Sequence, residues 1–143
     1  MAIARDLGIG DATDGVLIQP MVAGGTEMMV GLVDDPVFGP LVGVGLGGIY
    51  VEALADVRFR IAPLTDRDVD ELVHEMRGFT LLEGGRGRPR ADLQALADTM
   101  LRVSRLGEEI PEILELDLNP VVVLPEGSGC RILDARLKVG KRR

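Results

Sequence analysis

The sequence predicts an α+β fold in which a mostly antiparallel sheet carries two main helices packed on it. Short apolar runs separated by glycine and proline turns occur towards both ends of the chain. Between them, two segments repeat apolar residues at the spacing of amphipathic helices. The chain has 143 residues, of which 46% are hydrophobic and 27% are charged, which suits one domain with a buried core.

Composition excludes several classes of protein. The formal net charge is −7 and only 3% of the residues are aromatic, so a nucleic-acid binder is not expected. The longest uncharged stretch, residues 36–51, is broken by glycines and is shorter than the roughly 20 apolar residues of a membrane helix. Cys130 is the only cysteine, which fits a reducing compartment. We therefore expect a cytoplasmic protein that binds neither nucleic acid nor membrane.

The N-terminal part of the chain predicts two neighbouring strands after a flexible lead-in of residues 1–15. Val16–Gln19 is an apolar run that ends at Pro20, as a buried strand would. Ala23–Gly25 supplies a turn, and Glu27–Val33 is a second strand-like run. Two such runs joined by a glycine turn are expected to pair in antiparallel fashion.

Two further runs precede the helices. Leu41–Leu46 alternates apolar residues with glycine, which is typical of a strand or of a glycine loop. Val57–Ile61 alternates strictly and predicts a strand that stops at Pro63. The spacing Gly43-x-Gly45-x-x-Gly48 fits a dinucleotide-binding fingerprint, but a lone match is weak and a tight turn explains it equally well.

The central segment predicts two amphipathic helices. Thr65 is a natural N-cap for the first helix, which is expected to stop at Gly78. The second helix is expected to start near Pro89 and to stop at Gly107. His74, the only histidine, lies within the first helix and is expected to be half-buried or on its surface.

Basic residues occur in a loop and at the C-terminus. Arg86-Gly87-Arg88-Pro89 resembles the core of minor-groove hooks, but one short match in an acidic chain does not predict DNA binding. The basic tail, residues 140–143, is expected to be a solvated terminus.

The last segment predicts a β-hairpin in which one cross-strand pair of residues, here called a rung, is polar. Glu115–Leu124 and Cys130–Arg136 alternate as strands on either side of a proline- and glycine-rich turn. If the hairpin folds about the Glu126–Gly127 bond, Asn119 lies directly opposite Asp134, with Cβ atoms roughly 5 Å apart. An amide oxygen and a carboxylate at that separation can share one Mg²⁺ ion. A half-exposed hairpin with solvated rungs would show the same alternation.

The neighbouring rungs of the same hairpin face place acids opposite bases. Asp117 lies opposite Arg136, and Glu115 lies opposite Lys138. The two acids could hold a second metal ion or orient water, but cross-strand ion pairs are the preferred interpretation. A shift of one residue in the strand register would move these side chains apart and remove both the metal site and the ion pairs.

Three strings of this chain resemble a known family. VLIQPMVAGGTEMMVG, FGPLVGVGLGGIYVEALADVRFRIAPLT and ELDLNPVVV with a later LDAR are similar to the ATP-grasp domain of nucleoside-diphosphate-forming acyl-CoA synthetases. These enzymes are relatives of the succinyl-CoA synthetase β subunit. The resemblance covers residues 16–139 and implies the C-terminal subdomain of an ATP-grasp fold, in which ATP lies between two α+β subdomains.

The resemblance also implies where the nucleoside of ATP binds. Gln19, Pro20 and Met21 match the strand that links the two subdomains and borders the adenine. Glu27 matches the acidic residue that follows the hinge glycines and is similar to the ribose-binding glutamate of other ATP-grasp enzymes.

The phosphates and their metal are implied at other positions. Gly47 and Gly48 would lie near the phosphates, where the absence of Cβ permits close approach. Asn119 and Asp134 match the positions that hold Mg²⁺ beside the β- and γ-phosphates, the same pair that the hairpin register selects. Arg60 could contact a phosphate, although an ion pair with a surface carboxylate is at least as expected.

A full member of the family contains more than this chain. No lysine precedes Lys138, so the lysine that holds the ATP phosphates is expected on a separate N-terminal subdomain. A CoA-binding domain or subunit is also expected as a partner, and the chain alone should not complete an ADP-forming acid–CoA ligase cycle. The alternative is a non-catalytic, regulatory module that self-associates, for example as a homodimer.

Overall fold

The structure is a computed structural model that describes residues 18–48, 56–85 and 87–141. Within these residues one sheet contains the strands β1 (Thr26–Asp35), β2 (Gly39–Leu46), β3 (Val57–Ile61), β4 (Ile113–Val123), β5 (Cys130–Ile132) and β6 (Ala135–Val139). The helices are α1 (Asp66–His74), α2 (Leu93–Glu109) and a short 3₁₀ helix (Arg77–Leu81). The strand order is β3-β2-β1-β4, with β5 and β6 both paired to the far edge of β4, and all pairs are antiparallel.

The hydrophobic core lies between the helices and one face of the sheet. Alternation in β1 sends Met28, Val30 and Leu32 to this face, where they are almost fully buried. The helices contribute further buried side chains, among them Leu72, Leu96 and Met100. The core thus consists of alternate strand residues covered by two amphipathic helices, and the predicted fold class is confirmed.

Helix α1 begins where the sequence predicts. The Thr65 hydroxyl accepts a hydrogen bond from the Asp68 backbone N–H (3.2 Å), and the Asp68 carboxylate accepts one from the Thr65 N–H (2.8 Å). This reciprocal capping box satisfies backbone donors that the first helical turn leaves unpaired, and such a cap stabilises a protein by about 1 kcal/mol.

The predicted helix ends are wrong because two glycines serve packing. Helix α1 ends at His74, and Gly78 instead lies in the 3₁₀ helix, where a Cβ atom would meet Leu46 at 2.5 Å. Helix α2 continues through Gly107 to Glu109, and a Cβ on Gly107 would meet Leu32 at 2.7 Å. Both glycines allow a helix to approach the sheet closely. The start of α2 also lies later than Pro89, because Asp92 is its N-cap.

The predicted strand at Val16–Gln19 is not found where the structure describes it. Ile18 and Gln19 are irregular, and Ile18 is 90% exposed. Strand β1 cannot pair with this run, because its two edges are already occupied by β2 and β4. The lead-in 1–15, Val16 and Leu17, Arg86 of the basic loop, and the last tail residues Arg142 and Arg143 lie outside the described residues.

None of the helices in the described ranges is long and apolar enough to cross a membrane.

Candidate functional site

The register of the β4 hairpin is the one that the sequence predicts. The Asn119 backbone N–H donates to the Asp134 carbonyl at 3.2 Å, and the Leu133 N–H donates to the Pro120 carbonyl at 3.0 Å. The strand pairs on either side continue the same symmetry about the Glu126–Gly127 bond. Asn119 and Asp134 are therefore direct cross-strand neighbours.

A β-bulge at the same point shapes the strand beneath Asn119. Met28 of β1 pairs with Val121, whereas Val30 pairs with Leu118, so Asn119 and Pro120 together lie opposite Met29. Bulges of this kind bend a strand and re-aim its side chains, and they are common beside functional sites.

The acids on the next rungs do not form the ion pairs that the sequence analysis preferred. Asp117 lies opposite Arg136 and Glu115 opposite Lys138, as predicted. However, the Arg136 guanidinium pairs with Asp134, two residues earlier on its own side of the hairpin (Nε to Oδ2, 3.5 Å). Asp117 Oδ1 is buried and has no hydrogen-bond partner in the described part of the chain. The expected ion pair of Asp117 with Arg136 is therefore wrong, because Arg136 pairs instead with the acid two residues before it.

The donor set on this face suits a hard cation. Asn119 offers an amide oxygen, Asp134 a half-exposed carboxylate, and Asp117 a buried oxygen that no proton donor satisfies. Among the described residues, no three His, Cys, Asp or Glu side chains converge on one point. A site built on this rung supplies few protein ligands, as Mg²⁺ sites that also use phosphate oxygens and water generally do.

Glu27 and two glycines meet at the end of the β1–β2 pair. The Gly47 N–H donates to the Glu27 carbonyl at 2.8 Å, which extends the ladder by one rung. Gly48 has a positive φ of 61°, and a Cβ atom at this position would overlap the Glu27 carboxylate. Three residues that the family resemblance implies for nucleotide binding are thus brought together.

A cleft of about 660 Å³ opens beside Glu27. One wall is the segment Ala23–Glu27, and the opposite wall carries Arg88 and Pro89. Gln19, Pro20 and Met21 lead into the first wall as an irregular, exposed segment. The structure therefore keeps the predicted hinge next to the cleft, without a strand at that position.

Glu27 and Asn119 lie on the face of the sheet that the described helices do not cover, which we call the open face. Glu27 pairs with Val122 of β4, and Asn119 lies three residues along the same strand. At the rise of a β-strand this separation is about 10 Å. The arrangement therefore places one acid and one amide on the same face of the sheet, separated by about this distance.

Arg60 lies on the opposite face of the sheet. Its guanidinium is near Glu71 (3.5 Å) and Glu75 (3.4 Å) of the α1 region. On β3 it alternates with Phe59, which pairs with Gly43 on the open face. The sheet separates Arg60 from Asn119, so the phosphate contact considered for this residue is not supported, and its alternative, the surface ion pair, is what the structure shows.

Sequence analysis did not identify Asp92, which holds the hairpin in place. Its carboxylate accepts hydrogen bonds from the backbone N–H of Gly129 (2.8 Å) and of Ala95 (3.1 Å). These donors hold the pKa of Asp92 below its usual range. An aspartate just before a helical pattern is an N-cap signal, so the helix start could have been found, but the bond to the distant turn could not.

Comparison with known proteins places this arrangement in a family. The model of the ATP-grasp domain matches residues 2–139. An acetate–CoA ligase [ADP-forming] I of Archaeoglobus fulgidus is 50% identical over 128 residues, which are 90% of this chain and 18% of that protein. The β subunit of acetate–CoA ligase [ADP-forming] II of Pyrococcus furiosus is 44% identical over 86% of this chain and 52% of the subunit. The chain therefore spans at most about half the length of these curated relatives.

A solved structure is similar in fold as well as in sequence. Acetyl-coenzyme A synthetase 1 of Candidatus Korarchaeum cryptofilum, in complex with coenzyme A and Mg-AMPPCP, is 42% identical with a TM-score of 0.79. The match covers 83% of this chain and 55% of that one. The chain therefore belongs to the ATP-grasp family, as an ATP-grasp domain of the kind found in ADP-forming acyl-CoA synthetases.

Proposed function

We propose that this chain is the ATP- and Mg²⁺-binding part of an ADP-forming acyl-CoA synthetase. The overall reaction joins an acid and CoA with conversion of ATP to ADP and phosphate. The observation that carries the proposal is the cross-strand pair of Asn119 and Asp134, with the unsatisfied oxygen of Asp117 on the same strand. The Korarchaeum relative, whose crystals hold a magnesium–nucleotide complex and coenzyme A, supports it.

Each group of candidate residues has a separate role in this proposal. Gln19–Met21 would offer backbone groups to the edge of the adenine, and the Glu27 carboxylate would accept hydrogen bonds from the ribose hydroxyls. Asn119 and Asp134, with Asp117 as a further candidate, would hold Mg²⁺ beside the β- and γ-phosphates. Bound there, Mg²⁺ neutralises the charge that develops on the phosphates during phosphoryl transfer.

The remaining catalytic groups would come from partners. The chain's two lysines are Lys138 and Lys141, and Lys138 lies opposite Glu115, two rungs away from the Asn119–Asp134 pair. The lysine that holds the ATP phosphates would therefore come from another subdomain. A lysine-bearing N-terminal ATP-grasp subdomain would cover the nucleotide, and a CoA-binding domain or subunit would bind the acid and CoA. The P. furiosus relative, which is itself a separate β subunit, supports a divided arrangement.

The experiment is reconstitution. The chain is combined with a lysine-bearing half and a CoA-binding subunit, and ADP formation that requires both acid and CoA is measured. We expect activity only when all parts are present, and we expect the double variant Asn119→Ala/Asp134→Ala to abolish it. Equal ADP formation without this chain would contradict the proposal.

A second candidate function rests on the exposed apolar side chains of the open sheet face. Phe59 is 54% exposed and Ile61 is 51% exposed. A non-catalytic module could pair two such faces as a homodimer. Sedimentation with and without Mg-ATP distinguishes the two candidates. A dimer whose sedimentation is unchanged by Mg-ATP favours the non-catalytic module, and sedimentation that changes on addition of Mg-ATP favours the synthetase.

A further inference from the structure

The two glycines that follow β2, Gly47 and Gly48, lie beside Glu27 at two different points. Gly47 binds the backbone of Glu27 through the 2.8 Å hydrogen bond to its carbonyl. Gly48 touches the other end of the residue, because a methyl group built on its Cα would overlap the Glu27 carboxylate. Of two consecutive residues, one therefore hydrogen-bonds to the backbone of Glu27, and the other leaves free the space that its carboxylate occupies.

Substitution at these two glycines would have different consequences. A Cβ atom on Gly47 would meet the backbone of Met28 at 2.6–2.9 Å, so the strand pair itself would have to move. A Cβ atom on Gly48 would meet only the free end of the Glu27 side chain, which can turn aside. Gly48 therefore controls where the Glu27 carboxylate stands without being needed for the β1–β2 pairing.

The Glu27 carboxylate is available to a ligand. It is exposed, it lines the cleft, and no side chain within the described ranges forms an ion pair with it. A hydrogen bond from a hydroxyl to a carboxylate is short, about 2.5–2.7 Å, so it is lost when the acceptor shifts by the radius of a methyl group.

We propose that Gly48 is a positioning residue that sets the preference of the site for the sugar of the nucleotide. It does so through Glu27, by leaving the space in which the carboxylate can face both ribose hydroxyls. The inference rests on the proposed function, in which Glu27 accepts hydrogen bonds from the ribose. Loss of hydrogen bonds to a charged acceptor then weakens binding by about tenfold or more.

The test compares ATP with dideoxy-ATP, which lacks both ribose hydroxyls. Binding of each, as its Mg²⁺ complex, is measured by calorimetry on the chain assembled with the lysine-bearing half. We expect Gly48→Ala to reduce the preference for ATP about tenfold, to the level of Glu27→Ala. Affinity for dideoxy-ATP should change little, because that ligand makes no bond to Glu27.

Gly39→Ala is the matched control. Gly39 has a similar positive φ of 74°, but a Cβ atom there would meet nothing within 4 Å. It therefore carries the backbone strain of an alanine in the left-handed region without displacing an acid. We expect it to lower the melting temperature as Gly48→Ala does and to leave the sugar preference at the wild-type value.

A double variant shows whether Gly48 acts through Glu27. In the Glu27→Ala background, Gly48→Ala should cause no further loss of sugar preference, whereas an independent structural effect would add to it. If Gly48→Ala proves too unstable, Gly48→Asn with Gly39→Asn repeats the comparison, because asparagine tolerates the left-handed region better.

The outcomes separate this inference from the proposed function. If the wild-type assembly binds Mg-ATP and Gly48→Ala leaves the preference for ATP over dideoxy-ATP unchanged, the role of Gly48 is overturned and the proposed function stands. The role of Gly48 is also overturned if Gly48→Ala reduces the sugar preference equally in wild type and in the Glu27→Ala background. A wild-type assembly that does not bind Mg-ATP contradicts the proposed function itself.

Discussion

At the scale of single residues, Asp117 combines a buried oxygen with the absence of a hydrogen-bond donor in the described part of the chain. A buried polar atom in that state normally costs the protein 1–3 kcal/mol or more, in order-of-magnitude terms. Such a cost is expected to persist where a ligand supplies the missing interaction. The position of Asp117 two residues from Asn119 makes a metal ion the natural counterpart.

Asp117→Asn tests this interpretation. The amide keeps the shape of the side chain but removes its charge, so we expect Mg-ATP affinity to fall about tenfold or more while the melting temperature stays the same or rises. Calorimetry and thermal unfolding measure the two effects. The control is Glu115→Gln, which removes an exposed charge on the same face and should change neither. Unaltered Mg-ATP affinity in Asp117→Asn would remove this residue from the site.

Sequence patterns at this scale predict contacts along a hairpin but not contacts across the molecule. The pairing of Asn119 with Asp134 follows from alternation and one turn, so it could be predicted. The partners of Arg60 could not, because Glu71 and Glu75 face it only after α1 has packed on the sheet. The pairing of Arg136 with Asp134, and not with the opposite Asp117, depends on side-chain conformations that the strand register does not fix.

At the scale of elements, Asp92 connects the start of α2 to the turn between β4 and β5. The same carboxylate caps the helix and accepts a hydrogen bond from Gly129, and the adjacent backbone pairs with the hairpin (Asp92 N–H to the Leu124 carbonyl, 2.8 Å). The strand that carries Asn119 is therefore fixed to the helical layer at its far end.

The charge of Asp92 makes this connection sensitive to acid. Because hydrogen bonds lower its pKa in the folded chain, its stabilising effect is complete above the ordinary aspartate pKa of about 3.9 and is lost as the pH falls through the lowered value. We expect Asp92→Asn to lower the melting temperature at neutral pH, and the difference from wild type to shrink below about pH 4. Thermal unfolding across that range is the measurement.

Asp98→Asn is the control for this effect, since Asp98 is an exposed carboxylate on the same helix. It should change the melting temperature little at any pH. A difference between Asp92→Asn and wild type that stays constant, or grows, on acidification would contradict the role of the charge.

Elements whose ends are set by local signals could be predicted, and those whose ends are set by packing could not. Strand β3 has the predicted bounds, and α1 starts at the predicted Thr65 cap. The helix ends predicted at Gly78 and Gly107 are wrong, because the sequence does not distinguish a glycine that permits close packing from one that ends a helix. The two roles of glycine can be distinguished only once the helices are seen packed against the sheet.

At the scale of the whole molecule, the sheet has a helical face and an open face. The open face carries Phe59, whose ring lies over Gly43, together with Ile61 and Val33. Exposed apolar side chains grouped on one face are expected to bind a partner. In the proposed function that partner is the lysine-bearing half, whose presence the fold class alone does not reveal.

Phe59→Ser tests the use of this face. We expect it to weaken association with the lysine-bearing half by about tenfold, because burying an aromatic side chain in an interface contributes at least 1–2 kcal/mol in order-of-magnitude terms. Sedimentation or calorimetry measures the association. Val37→Ser is the control, because Val37 is 80% exposed but lies in the β1–β2 turn, and it should leave the association unchanged. Equal effects of the two variants would indicate a different docking face.

The central claim is that Asn119 and Asp134 together hold magnesium at the nucleotide phosphates. The most direct measurement is the affinity of the assembled ATP-grasp halves for ATP with and without Mg²⁺. It is made for wild type, for Asn119→Ala/Asp134→Ala and for the control Glu112→Gln, since Glu112 is an exposed acid just before β4. The account predicts that Mg²⁺ strengthens ATP binding in wild type and in Glu112→Gln, and that this gain disappears in the double variant. A double variant that retains the full gain from Mg²⁺ would contradict it.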